Sequence, residues 1–72
     1  MKILIFRTDI KTKKKFKVIK PLFNEHPGIY DWSIDIEDID NVLRIEATEN
    51  LIESDVINLS KIQGFYCEVL KD

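Results

Sequence analysis

The chemistry this 72-residue chain can offer begins with RTDIKTKKKFKVIK, residues 7–20, which crowds Lys11, Lys13, Lys14, Lys15 and Lys17 around one predicted turn. A helix start exposes unpaired backbone N–H groups, so lysines beside it can hold an anion such as a phosphate or an acidic peptide. The placement has a cost, because cations at this positive end of the helix dipole are disfavoured by about 0.3–1 kcal/mol apiece when exposed. The competing reading is a basic surface that is simply solvated.

Soft and borderline metal ligands are scarce. Cys67 and His26 are the only cysteine and histidine, and they stand far apart in the sequence. A lone Cys67 on the apolar side of a strand reads as a small core residue, and His26 at a helix end reads as a partner for free carbonyls. The acids of DIEDID, residues 35–40, lack the spacing and the bidentate glutamate of a calcium loop, so a solvated hairpin is expected. No Ser, His and Asp set and no glycine-rich phosphate loop can be assembled from one histidine and two glycines. The chain is therefore expected to be no enzyme and to need no cofactor.

These residues must be positioned by a small fold. A chain of this length buries only about 60% of the surface it exposes unfolded, which suits one domain over residues 1–72. With a single cysteine it must hold by packing alone, and with no long apolar run it reads as cytoplasmic, with no membrane partner. Charge is uneven along it. Residues 1–20 carry eight Lys or Arg against one Asp, a net of +7, whereas residues 21–72 carry three bases and twelve acids, a net of −9. Such a chain can dock an acidic partner, or pair its two ends with a copy of itself.

KILIFRT is β-branched or aromatic on both alternating faces and reads as a central strand. From Lys13 to about Glu25, Phe16, Ile19 and Phe23 recur at helical spacing behind Thr12 as N-cap; Pro21 should kink or loosen the final turn. Gly28 follows, able to take positive φ. IYDWSIDIE alternates Trp32, Ile34 and Ile36 with acids, DIDN supplies a turn, and VLRIEA pairs back through Leu43, Ile45 and Ala47. Ser54 is the expected cap of a second helix with Val56, Leu59 and Ile62 on its buried face, ended by Gly64. FYCEVL closes the order βαββαβ. This is the ferredoxin-like α+β pattern: a two-layer sandwich in which a four-stranded antiparallel sheet carries two helices on one face.

TKKKFKVIKPLFNEHPGI, IYDWSIDI and QGFYCEVL together resemble the heavy-metal-associated (HMA) domain family of copper and zinc chaperones and transport-ATPase modules, over nearly the whole chain. That family carries a Met-Thr-Cys-x-x-Cys loop, and the resemblance puts Ile10 at its methionine, Ile19 and Phe23 at the apolar positions after it, and Gly64 with Phe65 at its late Gly-aromatic pair. Thr12 and Lys15 then fall at the two cysteine positions. Paired thiolates suit soft Cu(I), whereas a hydroxyl and a protonated lysine do not replace them. The resemblance thus implies the fold and removes its usual activity, so no tight Cu(I) or Zn(II) binding is expected.

The leading expectation is a protein-interaction or accessory module, with a protein partner or self-association. Strand one is apolar on both faces, so either Ile3 and Ile5 or Leu4 and Phe6 should lie on the open sheet face; Leu4 and Phe6, with Tyr66 and Leu70 of the last strand nearby, are the expected exposed apolar patch. Arg7 and Arg44 draping over that face is the opposing reading. The alternatives are an anion or acidic-partner site at Lys11–Lys17, and a chaperone-like protein associated with metal transport. Nucleic acid is disfavoured, because ILIFRT and VLRIEA lack the stacking aromatics of the RNA-binding form of this architecture.

Overall fold

The computed structural model describes residues 1–70. Its elements follow the order β1 (Lys2–Thr8), α1 (Lys13–Asn24), β2 (Ile29–Ile34), β3 (Leu43–Ala47), α2 (Glu53–Ile62) and β4 (Cys67–Val69). The strands form one antiparallel sheet in the order β2-β3-β1-β4. Leu4 and Phe6 of β1 and Leu43, Ile45 and Ala47 of β3 face the helices, where Ile19, Phe23 and Val56 meet them in one buried cluster. The result is the two-layer α+β sandwich with both helices on one face of the sheet.

Local chemistry sets the ends of α1. Thr12 is extended, and its hydroxyl accepts from the Lys15 N–H at 3.2 Å, satisfying one of the free donors of the first turn. Pro21 does not stop the helix. The Glu25 N–H still reaches the Pro21 carbonyl at 3.1 Å in a regular helical bond, and only past the helix end does the His26 N–H turn to the Phe23 carbonyl, at 3.3 Å.

Three local expectations are corrected. Ser54 is the second residue of α2 rather than its cap: Asp55 reaches back so that its carboxylate accepts the Ile52 N–H at 3.1 Å, and this puts the cap at Ile52, two residues earlier. The buried row of α2 is Val56 and Ser60, four apart, while Ile62 at the helix end is 74% exposed. Gly28 does not take positive φ; a Cβ there would lie 3.1 Å from His26 and 3.3 Å from Leu51, so close approach explains this glycine. Gly64 does take it, at φ 79°. The Phe65 N–H reaches the Ser60 carbonyl and the Gly64 N–H that of Lys61, both at 2.9 Å, which closes α2 in a Schellman motif.

The strand expected over residues 29–37 ends at Ile34. Asp35 Oδ1 accepts from the amides of Glu37 and Asp38 at 3.1 and 3.2 Å and bends the chain early. Asn41 completes the turn at φ 45°, its side-chain amide donating to the carbonyls of Ile36 and Asp38.

Candidate functional site

β1 decides which apolar pair is accessible. Leu4 and Phe6 are buried in the core, contrary to their placement in the exposed patch, and Ile3 and Ile5 take the open face instead. The physical reason is parity: Arg7 shares a face with Ile3 and Ile5, and a guanidinium is kept in water. Tyr66 is exposed as expected, at 52%. Its hydroxyl donates to Glu68, which raises the phenol pKa above its ordinary value.

Ion pairs occupy this open face. Arg7 Nε lies 3.1 Å from Asp40 Oδ1 and its NH1 lies 3.2 Å from Glu68 Oε1, while Arg44 pairs with Glu46 at 3.5 Å. Both arginines lie on this face as the opposing reading has it, and Ile3, at 42% exposed, stands toward the other end of β1 from Tyr66.

The helix layer holds a more definite feature. Between α1 and the end of β2 lies a groove of about 340 Å³, lined by Lys13, Phe16, Lys17, Lys20, Ile34 and Ile36. Its volume sits at the lower end of the roughly 300–1,000 Å³ of ligand sites. Lys13, Lys17 and Lys20 follow the i, i+4, i+7 row of one helix face and form a cationic rim. Phe16, Ile34 and Ile36 form an apolar floor. Trp32 braces this floor from β2: its ring centroid is 5.1 Å from Phe16 and, edge-on, 5.2 Å from Phe23, and its indole N–H donates to Asn24 Oδ1 at 2.7 Å.

The lysine turn is therefore divided. Lys13 and Lys17 line the groove; Lys11 and Lys14 are exposed elsewhere on the turn and helix. Lys15 folds back, half-buried, with its Nζ 3.4 Å from the Asp9 carbonyl. Thr12 and Lys15, at the two positions matched to ligand cysteines, are thus occupied with capping the helix and closing the loop. Phe16, Lys20, Ile34 and Ile36 were not among the expected site residues. The lysine spacing was readable as one helical face, whereas the isoleucines reach the groove only through the tertiary packing of β2 on α1.

The isolated ligands stay isolated. Cys67 is buried, which pushes its thiol up to about 11; the nearby Ser60 hydroxyl opposes this, although its geometry falls short of a hydrogen bond. His26 accepts from the Gly28 N–H at 2.9 Å through Nδ1, so it serves as an acceptor and not as the carbonyl partner expected. Among the described residues no three His, Cys, Asp or Glu side chains are grouped to hold a metal ion. No described helix is long and apolar enough to cross a membrane.

No family model matches the sequence, and no curated protein does. Solved structures do match. One is the solution structure of a yeast copper transporter domain in its apo and Cu(I)-loaded states, at TM-score 0.83 and 15% identity, covering 100% of this chain and 99% of that one. Another, from work on crosstalk between Cu(I) and Zn(II) homeostasis, matches at TM-score 0.82 and 8% identity over 97% of this chain and 100% of that one. The fold is HMA-like, and at these identities the likeness is one of fold.

Proposed function

We propose that this chain is a non-catalytic, HMA-like interaction module that has lost the soft-metal site and binds an acidic protein segment in the groove beside α1. The observation that carries the reading is the groove itself: a cationic rim of Lys13, Lys17 and Lys20 over the apolar floor of Phe16, Ile34 and Ile36. Lysine ammonium groups favour carboxylates, and an apolar floor favours a segment that brings a hydrophobic side chain with its charges. This reading joins two of the sequence expectations, a protein partner and an anionic one. A place beside metal-transport proteins draws support from the fold shared with the two structural neighbours, while the role of accessory rather than carrier rests on Thr12 and Lys15 at the positions matched to ligand cysteines.

Trp32 makes the test direct, because it stacks on a groove-lining ring. Titration with a short peptide of alternating Asp and Leu should change its fluorescence, and the Lys13→Glu, Lys17→Glu, Lys20→Glu triple variant should abolish the change. A response that survives the triple variant, or no response from the wild type, rules out the groove as the binding surface. In parallel, Cu(I) competition should find no sub-micromolar site; one that persists in Cys67→Ser would overturn the account of Thr12 and Lys15.

A further inference from the structure

The acidic half of the chain does not lie opposite the basic half. The Thr8 N–H donates to the Asp40 carbonyl at 3.1 Å and the Thr8 hydroxyl to that of Asn41 at 2.7 Å, so the β2–β3 turn is tied to the end of β1, just before the lysine turn. Ile36 belongs to this turn and also lines the groove. A cationic groove and an acidic turn are therefore contiguous on one molecule.

The turn has an apolar tip. Ile39 is 94% exposed, the most exposed large apolar side chain described, and acids surround it at Glu37, Asp38 and Asp40. Asp40 is taken by Arg7, but Glu37 and Asp38 form no ion pair among the described residues, and neither do Lys13, Lys17 or Lys20. Loose chain does not account for the exposed tip. Asp38 Oδ1 accepts the Asp40 N–H at 2.8 Å, and the Asp35 and Asn41 side-chain bonds brace the rest. A turn ordered in this way loses little further freedom on docking.

We infer that the groove receives the exposed turn tip, residues 37–40, of a second copy of this chain, with Ile39 on the apolar floor and Glu37 and Asp38 against the lysine rim. The inference rests on the groove reading above and names its occupant. Because each copy carries the groove and the turn side by side, one two-fold axis satisfies both contacts at once, as an isologous interface requires. The patch is small, so the dimer is weak and salt-sensitive, of the transient class.

Sedimentation equilibrium of the full chain from ~10 μM to ~1 mM at low salt reads the association directly. The wild type should gain mass toward a dimer, and Ile39→Asp should weaken association at least ~10-fold without disturbing the fold, since this side chain touches little of its own molecule. A charge exchange supplies the specific control. Lys13→Glu with Lys17→Glu, and separately Glu37→Lys with Asp38→Lys, should each remain monomeric; an equimolar mixture of the two should form a heterodimer, because both contacts regain opposite charges. A monomeric wild type at the highest concentration, a dimer indifferent to Ile39→Asp, or a mixture that fails to pair overturns the inference. If self-association fails while the acidic peptide still binds, the groove reading stands with a foreign partner; if both fail, both readings fall.

Discussion

Ser60 offers a sharp test of how the core is assembled. Its side chain is fully buried on α2, and its hydroxyl has no hydrogen-bond partner among the described residues, while its carbonyl holds the Gln63 and Phe65 amides. A buried, unsatisfied hydroxyl costs about 1–3 kcal/mol. Ser60→Ala removes that penalty, gains a few tenths of a kcal/mol in helix propensity, and loses only the few dispersion contacts of one oxygen atom, each roughly 0.1–0.2 kcal/mol. The backbone bonds of the Schellman motif are untouched. The expected net effect is a stabilisation of about 1 kcal/mol, or roughly 4–8 °C in Tm for a domain of this size. Urea unfolding at neutral pH should show a higher midpoint with an unchanged m-value. A loss of 1 kcal/mol or more would refute the reasoning, because it would mean that the hydroxyl has a partner. The adjacent Cys67 thiol would be the candidate, and a double-mutant cycle with Cys67→Ala would locate it.

Phe23→Ala should cost about 3–5 kcal/mol, since the ring is fully buried and edge-on to Trp32, and thermal unfolding should find the variant barely folded. Gly64→Ala should lose about 1 kcal/mol in urea melts through backbone strain alone, because φ is 79° and, beyond its chain neighbours, no atom of the described residues lies within 4 Å of the added methyl. Thr12→Cys with Lys15→Cys should create a Cu(I) site detectable by chelator competition, while loss of the threonine cap lowers stability by about 0.5–2 kcal/mol. The Cys67 thiol is raised from 9.0 to about 11, so at pH 8 the native protein should alkylate roughly 100-fold more slowly than the unfolded chain. The same shift links to folding: what the buried neutral thiol contributes is intact below pH 9.0 and is lost as the pH climbs toward about 11, which pH-dependent melts should show.

Periodicity carried most of the architecture. Thr12, the Leu43–Ile45–Ala47 row and the Gly64 terminator stand where their residue types put them, because each is a local effect of hydroxyl, alternation or absent Cβ. The choice between Leu4 with Phe6 and Ile3 with Ile5 was also present in the sequence, in the parity of Arg7, but a strand apolar on both sides hides it. Ser60 in place of Ile62 was hidden by hydrophobicity: Ile62 stands about 240° around the helix from Val56, so spacing, and not apolar character, selects the covered residue. The groove lay further out of reach. Its lysine rim is a local helical row and the Asp35 bonds that pull Ile36 out of the strand are local turn bonds, but its floor joins α1 to Ile34 and Ile36, which only tertiary packing brings together.

The sheet order also has a consequence in time. β1 is the first strand made, yet it lies between β3 and β4, and Phe6 pairs with Val69 and Thr8 with Cys67 across nearly the whole described chain. The entropy of closing so long a loop is spent before those contacts form. Folding should therefore run in milliseconds rather than microseconds, with the β2–β3 hairpin and its acidic turn assembled ahead of the β1–β4 pairing that seals Cys67 inside.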